Sequence, residues 1–181
     1  MRITGGQWGG RRLQVPRTDI RPTQDRVRQA VFSSLASLVP GARVLDLFAG
    51  TGAYGLEALS RGATTACWIE RDPRVCAVLR ANVSALAGPD QAVAGCLRGD
   101  ALRLLPGLPG PFDLIFADPP YAEEWCEQTL AALAAAGSLA PDGVVVYEGA
   151  RDKLARPPPG WRLIRQKRYG RTCLSCYQAE A

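Results

Sequence analysis

Four acidic side chains follow four apolar segments in the middle of the chain. In chain order they are Asp46, Glu70, Asp100 and Asp118. If these segments are parallel strands, the four carboxylates meet at one edge of a sheet, where open α/β sheets bind their ligands. Carboxylates at such an edge can hold a cationic or hydroxyl-rich ligand. The sequence therefore predicts a ligand site at this edge.

A glycine-rich turn follows the first of these segments. Gly50, Gly52 and Gly55 have the spacing of a dinucleotide-binding loop, and Glu70 lies twenty residues after Gly50. A nicotinamide dinucleotide fits this pattern poorly, because Asp46 would lie close to its pyrophosphate. In addition, 181 residues leave little room for a separate substrate domain. A cofactor with a positive centre and no phosphate fits the turn better.

The chain contains no histidine. This excludes catalytic triads and zinc sites that depend on imidazole, so chemistry carried by a bound cofactor is favoured. S-adenosylmethionine has a sulfonium and an amino group, which carboxylates can hold. Its ribose diol offers two hydroxyls to Glu70, and Asp100 can accept a hydrogen bond from its adenine amine. S-adenosylmethionine is therefore the predicted cofactor.

The tetrapeptide Asp118-Pro119-Pro120-Tyr121 follows the fourth apolar segment. Paired prolines after a strand are typical of a rigid turn, but here they stand beside the predicted cofactor loop. An exocyclic amine of a nucleobase is a poor nucleophile because its lone pair is conjugated with the ring. The Asp118 carboxylate and the Pro119 carbonyl can accept from such an amine, and the Tyr121 ring can stack on the base. Methyl transfer to a base amine is predicted, with guanine N2, adenine N6 and cytosine N4 all open.

The elements that must position these residues alternate between strand and helix. The predicted strands are 43–48, 65–69, 91–97, 112–117 and 144–148, followed by a hairpin of strands 161–169 and 172–178. The predicted helices are 23–39, a helix that follows the glycine turn and ends at residue 60, 72–86 and 123–136. This order predicts an α/β, Rossmann-like fold with a seven-stranded, mostly parallel sheet, an antiparallel C-terminal hairpin and helices on both faces. Residues 23–181 form one domain after a basic arm, 1–22.

Charge is segregated along the chain. Residues 1–43 carry eight arginines and two aspartates, 44–150 carry six basic and thirteen acidic residues, and 151–181 carry eight basic and two acidic residues. Basic ends indicate a polyanionic partner such as RNA. The candidate RNA-binding residues are Arg11, Arg12, Arg21, Arg26 and Arg28, with Arg168 and Arg171 as a second group. In the first predicted helix, Arg26 and Arg28 fall outside the apolar stripe.

The motifs together resemble the class I S-adenosylmethionine-dependent methyltransferases that act on amino groups. The matching residues are VLDLFAGTGAYGLEALSRGA (44–63), Glu70, Gly99-Asp100-Ala101 and Asp118-Pro119-Pro120-Tyr121. The rest of the chain narrows this resemblance to the RsmD type of 16S ribosomal RNA guanine-N2 methyltransferase. That part consists of the GG..GGRRL pattern in the first thirteen residues, the RPTxDRVR segment (21–28) and the YGxTxLxxY ending (169–177).

The resemblance implies transfer of a methyl group from S-adenosylmethionine to N2 of the guanine at position 966 of 16S ribosomal RNA, leaving S-adenosylhomocysteine and using no metal. It implies that the partner is the small ribosomal subunit or a late assembly intermediate, and that the protein is a monomer. The residues it assigns to cofactor binding are Asp46, Phe48, Ala49, Gly50, Gly52, Glu70, Arg71, Asp100 and Ala101. It assigns methyl transfer to Asp118, Pro119, Pro120 and Tyr121.

Two residues depart from that family's pattern. Tyr54 stands where the family more often has a small apolar residue, and Arg171 replaces an Asp in the YGDT turn. Two other functions stay open: a nicotinamide oxidoreductase, supported by the glycine spacing, and a non-catalytic RNA-binding assembly factor. The chain shows no secretory signal and no membrane-spanning run, so a cytoplasmic protein is predicted. The six cysteines are expected to be buried reduced thiols.

Overall fold

A computed structural model of the chain describes residues 1–16, 22–87, 93–119, 125–150, 157–170 and 172–180. The helices are α1 (Pro22–Ser34), α2 (Ala53–Ser60), α3 (Pro73–Ala87), α4 (Ala101–Leu104) and α5 (Trp125–Ala135), with a 3-10 turn at Leu105–Gly107. The strands are β1 (Arg43–Leu47), β2 (Thr65–Glu70), β3 (Val93–Arg98), β4 (Phe112–Ala117), β5 (Leu139–Ala150), β6 (Trp161–Tyr169) and β7 (Thr172–Ala179). No helix among the described ranges is long and apolar enough to cross a membrane.

All seven strands form one sheet in the order β3-β2-β1-β4-β5-β7-β6. The first five pair in parallel, and β7 lies antiparallel between β5 and β6. A parallel strand in the middle of such a sheet is covered on both faces and therefore needs apolar residues on both. β1 meets this condition, since its last four residues are all buried. The predicted Rossmann-like α/β fold is confirmed.

Two apolar clusters cover the two faces of the sheet. Val44 and Phe116 belong to the cluster that the N-terminal segment, α1, α2 and α3 complete. Leu45 and Ile115, one residue away on the same strands, belong to the cluster that α4 and α5 complete. Successive side chains of a strand point to opposite faces. The side chains at even-numbered positions of β1 and β4 therefore face α1 to α3.

The structure differs from the predicted elements in three places. β5 begins at Leu139 rather than 144 because the strand continues through an irregularity, where Asp142 has a left-handed φ of 62°. The residues around Asp142 have the composition of a turn, which hides a bulged strand. α1 ends at Ser34, five residues before the predicted end. The short helix α4, whose N-cap is Asp100, was not predicted.

The described part of the predicted N-terminal arm is packed against the domain. Ile3, Trp8 and Leu13 are buried in the same cluster as α1 and α2. Gly6 has a φ of 75°, and a Cβ atom placed there would lie 1.9 Å from the carbonyl oxygen of Ser60. This glycine therefore permits the backbone of the segment to lie directly against the end of α2. Residues 1–16 therefore share a core with α1, α2 and α3.

A buried charge network fastens this segment to α1 and α2. Glu57 on α2 is fully buried and accepts hydrogen bonds from both the backbone N and the hydroxyl of Thr4, each 2.7 Å long. Arg61 Nε lies 2.8 Å from the same carboxylate. Arg28 Nε lies 3.4 Å from it, and Arg28 also pairs with Asp25 at 2.9 Å. A charged side chain is rarely fully buried unless it is paired, and Glu57 meets this condition.

This network corrects the prediction for Arg28. The side chain of Arg28 is only 2% exposed, so it is not a surface contact for an RNA phosphate. The predicted apolar stripe of α1 placed Arg28 outside the packed face, whereas the guanidinium is drawn inward by the carboxylate of Glu57. A cationic side chain is buried where it finds a charged partner, and this partner is 29 residues away in sequence.

Candidate active site

A pocket of about 340 Å³ opens at the edge of the sheet where the parallel strands end. Seven of the predicted site residues line it together. Six were predicted for cofactor binding or methyl transfer, namely Asp46, Phe48, Ala49, Gly50, Glu70 and Asp118, and the seventh is Arg28, which was predicted for RNA binding. The N-terminal segment contributes Met1 and Pro16 to its wall, which the sequence did not indicate. The structure thus brings the predicted cofactor loop and the predicted transfer residue to one cavity.

The turn between β1 and α2 forms one side of the pocket. Gly50 and Gly52 have φ angles of 55° and 83°, which favour glycine. A Cβ atom on Gly52 would also lie 2.4 Å from a methyl group of Leu79. Phe48 has a φ of 58°, a conformation that costs energy for an aromatic residue and that occurs preferentially at functional sites. The turn is therefore held in a shape that few other residues permit.

Glu70, the last residue of β2, is fixed against this turn by two backbone donors. The N–H of Gly50 donates to Oε2 of Glu70 at 2.8 Å, and the N–H of Asp72 donates to Oε1 at 2.7 Å. Each carboxylate oxygen has a second lone pair that stays available to a ligand. The Glu70 carboxylate is therefore a preorganised acceptor for hydroxyl groups at the pocket wall.

Asp46 lies deeper, on β1 beneath the turn. It is 3% exposed, and its Oδ2 accepts a hydrogen bond of 2.9 Å from the N–H of Gly55. Burial raises the pKa of Asp46 to about 8, and the charge of Glu70 adds to the rise. The hydrogen bond from Gly55 and the charge of Arg28 oppose it. Asp46 connects β1 to the first turn of α2 and also lines the pocket.

Asp118 follows β4 on the opposite side of the pocket. The register pairs Ala117 with Tyr147, so the next residues, Asp118 and Glu148, stand side by side on adjacent strands. Burial among the surrounding protein atoms raises the pKa of Asp118, and the charges of Glu148 and Asp46 raise it further. Its side chain is exposed to solvent in the pocket.

Only half of the predicted transfer motif can be located. Pro119 is buried directly after Asp118. Pro120 and Tyr121 lie outside the described residues, so their predicted roles stay predictions.

Tyr54 and Glu148 complete this side of the pocket. The hydroxyl of Tyr54 donates to Oε2 of Glu148 at 2.9 Å. Its ring stacks on Phe116, with centroids 4.9 Å apart and an interplanar angle of 24°. Burial raises the pKa of Glu148, while hydrogen bonds from Tyr54 and Thr172 and the charge of Arg28 oppose the rise. Burial and the charges of Glu148 and Asp118 raise the pKa of the Tyr54 hydroxyl.

Glu148 was missed by the sequence reasoning, although a signal for it was present. It stands near the end of the fifth strand, after an apolar run. The four predicted carboxylates stand in the same way at or just after the ends of the other parallel strands. The same rule about strand ends would have included it.

Four of the predicted cofactor residues do not line this pocket: Gly52, which lies in the turn that forms its side, and Arg71, Asp100 and Ala101. Arg71 is exposed, and Ala101 is buried at the start of α4. Asp100 accepts a hydrogen bond of 3.1 Å from the N–H of Arg103 and thereby caps α4. Arg71, Asp100 and Ala101 follow β2 and β3 at the same sheet edge, and their contacts with a cofactor stay predictions. Among the described residues, no group of three or more acidic or cysteine side chains is arranged to hold a metal ion.

The structure describes five of the seven candidate RNA-binding arginines, and one of these, Arg28, is buried. Those with exposed side chains are Arg11, Arg12, Arg26 and Arg168. Arg21 and Arg171 lie outside the described residues. Exposure makes a phosphate contact possible at the first four positions and does not test it.

The strand order, the glycine turn after β1 and the acidic pocket together define a class I methyltransferase fold. A family model described as "Conserved hypothetical protein 95" matches residues 1–178. The chain belongs to this family, and the predicted RsmD-type relationship is confirmed.

Individual relatives cover nearly the whole chain. "Ribosomal RNA small subunit methyltransferase D" of Escherichia coli (strain K12) is 39% identical over 183 residues, spanning 100% of this chain and 91% of that protein. The protein of the same name from Haemophilus influenzae is 33% identical, spanning 98% of this chain and 93% of that protein. Among solved structures, yhhF from Escherichia coli has a TM-score of 0.85 at 37% identity, covering 100% of this chain and 98% of that chain.

Proposed function

We propose that this protein transfers a methyl group from S-adenosylmethionine to the exocyclic N2 of a guanine in the RNA of the small ribosomal subunit, at position 966. The observation that carries the proposal is that Glu70, beside the glycine turn, and Asp118, beside the paired prolines, line one cavity. The names of the relatives support ribosomal RNA of the small subunit as the substrate. The choice of guanine N2 rests on the RsmD-type resemblance.

The residues around the glycine turn fit S-adenosylmethionine. Glu70 offers two oriented carboxylate oxygens to the ribose hydroxyls, because its backbone donors already fix it. Asp46 and Asp118 also line the cavity, and a bound ligand with a sulfonium and an ammonium group favours the ionised form of both side chains. When bound, this cofactor supplies a methyl group on an electrophilic sulfonium. Asp100 and Ala101 are proposed for the adenine side of the same edge.

The residues after β4 act on the base. The Asp118 carboxylate and the Pro119 carbonyl accept hydrogen bonds from the exocyclic amine and draw its lone pair out of conjugation with the ring. Asp118 also receives the proton that leaves the nitrogen when the nitrogen gains its methyl group. Orientation of the two reactants contributes most of the acceleration. In well-aligned pairs, the effective molarity lowers the activation barrier by about 7–11 kcal/mol. A base in folded RNA must be turned out of its stack to reach this pocket.

The basic surface supplies the contact with the RNA backbone. Arg11, Arg12, Arg26 and Arg168 are exposed and are proposed to contact phosphates. Each such contact releases counterions, so binding of the subunit is expected to weaken steeply as salt rises.

The test is transfer of a labelled methyl group to small subunits isolated from a strain that lacks this protein. Wild-type protein is expected to label one guanine, which mass spectrometry of the digested RNA then maps. Asp118→Ala is expected to lower the rate about 10²–10³-fold and to leave binding of S-adenosylmethionine intact. Glu127→Ala, which removes an exposed carboxylate on α5, is the matched control. Full activity of Asp118→Ala, or label on a different base, would overturn the proposal.

A further inference from the structure

Two carboxylates, not one, stand on the base side of the pocket. β4 and β5 run in parallel with Phe116 opposite Val146 and Ala117 opposite Tyr147, so Asp118 and Glu148 are the next pair. Register neighbours on parallel strands point to the same face of the sheet. Both side chains line the pocket, and the proposed transfer chemistry uses only Asp118.

Glu148 is held in place by a side chain from another element. Tyr54, at the start of α2, donates its hydroxyl proton to Oε2 of Glu148 at 2.9 Å. The ring of Tyr54 is fixed in turn, since it stacks on Phe116 of β4. A carboxylate with one hydroxyl donor still has free lone pairs, and these are available inside the pocket.

The nucleobases differ in the atom next to the exocyclic amine. In guanine the 2-amino group is adjacent to N1–H, so two donors stand together on the Watson–Crick edge. In adenine and cytosine the amine is adjacent to a ring nitrogen that only accepts. An ionised carboxylate accepts and cannot donate. The hydrogen bond from Tyr54 and the charge of Arg28 favour the ionised form of Glu148, and the positive charge of a bound sulfonium favours that of Asp118. When both are ionised, two carboxylates side by side match guanine, and with either of the other bases a lone pair of the ring nitrogen faces a negative charge.

We propose that Glu148 is a specificity-determining residue, which accepts the N1–H of the target guanine while Asp118 accepts from its 2-amino group. This inference rests on the proposed function, and it assigns the choice of base to a side chain of β5 held by Tyr54. Flipped bases are read by hydrogen bonds to their Watson–Crick edge, which is the edge these two carboxylates would contact. The role of Tyr54 is to position Glu148.

The test compares guanosine with 2-aminopurine riboside at the mapped nucleotide of a synthetic RNA fragment, used free or ligated into reconstituted small subunits. The analogue keeps the 2-amino group and carries an unprotonated N1. Wild-type protein is expected to favour guanosine by at least about 100-fold in kcat/KM, because a site built for an N–H donor rejects a base that lacks it. In Glu148→Gln the amide can donate to that N1, so the preference is expected to fall below about 10-fold.

Two further variants separate recognition from folding. Tyr54→Phe keeps the stacked ring and removes one donor to Glu148, so the preference for guanosine is expected to fall about 3- to 10-fold. Glu127→Gln makes the same chemical change as Glu148→Gln on the exposed face of α5 and is expected to keep the wild-type preference. The analogue also lacks O6, and this affects all variants alike. Comparing the preference for guanosine between variants therefore cancels the effect of the missing O6.

The outcomes distinguish this inference from the proposed function. If wild-type protein transfers no methyl group to guanine, the proposed function fails. If wild-type protein methylates guanosine selectively and Glu148→Gln keeps that preference, only the role of Glu148 is overturned, whatever the result for Tyr54→Phe. A reduced preference in Glu148→Gln, with Glu127→Gln unchanged, supports that role, and a smaller reduction in Tyr54→Phe supports the positioning role of Tyr54.

Discussion

The two sides of the pocket are built in different ways. On the proposed cofactor side, Glu70 is fixed by the backbone N–H groups of Gly50 and Asp72, which are close to it on the loops after β1 and β2. On the proposed base side, Glu148 is fixed by the side-chain hydroxyl group of Tyr54 on α2, and it stands next to Asp118 on the adjacent strand. A site held by backbone geometry depends on glycines, whereas a site held by side chains depends on the identity of distant residues. Mutations on the two sides of the pocket are therefore expected to have different effects.

The largest expected effect distinguishes cofactor binding from methyl transfer. Asp118→Ala is expected to lower kcat about 10²–10³-fold while the Kd for S-adenosylmethionine stays within twofold. Glu70→Gln is expected to raise that Kd about 10- to 100-fold, because the amide loses the charge and can accept only one of the two backbone hydrogen bonds. Isothermal titration with the cofactor and single-turnover kinetics measure the two quantities. Equal effects of both variants on Kd would contradict the division of the pocket into two sides.

A second prediction concerns the glycine turn alone. Gly52→Ala is expected to lower the free energy of unfolding by about 2–3 kcal/mol, since a φ of 83° is strained for alanine and the Cβ atom meets Leu79. Gly10→Ala is the matched control, because Gly10 has a φ of 85° and open space around it. That control is expected to cost about 1 kcal/mol, the strain of the backbone alone. Urea denaturation measures both, and identical losses would show that contact with Leu79 is unimportant.

The smallest expected effect concerns Asp46, which lies between the two sides. Its pKa rises from 3.8 in the unfolded chain to about 8 in the folded protein. The folded state therefore binds a proton that the unfolded state does not, and the stability from this group is present below about pH 4 and is lost as the pH rises through 8. Asp46→Asn keeps an acceptor for Gly55 and removes the titration. The decline in unfolding free energy between pH 5 and 6 is expected to be smaller in this variant by about 1–2 kcal/mol.

The control for this pH dependence is Asp142→Asn, which changes an exposed aspartate of β5. Asp118 and Glu148 also have raised pKa values in every protein compared, and in Asp46→Asn the rise at Asp118 is smaller because the charge of Asp46 is absent. Denaturant unfolding of the cofactor-free protein at several pH values measures the slope. A slope in Asp46→Asn equal to that of the wild type would contradict the burial of an uncharged Asp46.

The cofactor side of the pocket was largely predictable from the sequence. The glycine spacing, the strand before it and Glu70 twenty residues later are local features with strong backbone requirements, and the structure places Gly50 and Glu70 in contact. The parallel sheet was predictable for a related reason, since buried strands alternate with helices along the chain. Asp118 was found by the same rule about strand ends.

Long-range pairing explains what the sequence did not reveal. Arg28 was predicted to be on the surface because its partner, Glu57, belongs to another helix. The packing of residues 1–16 depends on the contact between Gly6 and Ser60, which no local pattern indicates. The bond between Tyr54 and Glu148 joins residues 94 positions apart. Local rules locate each element, but side-chain partners between distant elements depend on the folded arrangement.

The most direct measurement is mass spectrometry of small-subunit ribosomal RNA from a strain that lacks this protein, compared with the same strain carrying the wild-type or the Asp118→Ala gene. One N2-methylguanine is expected to be absent from the deletion strain, restored by the wild type and still absent with Asp118→Ala. An unchanged set of methylated guanines in the deletion strain, or full restoration by Asp118→Ala, would contradict a pocket that joins the methyl donor to a guanine amine.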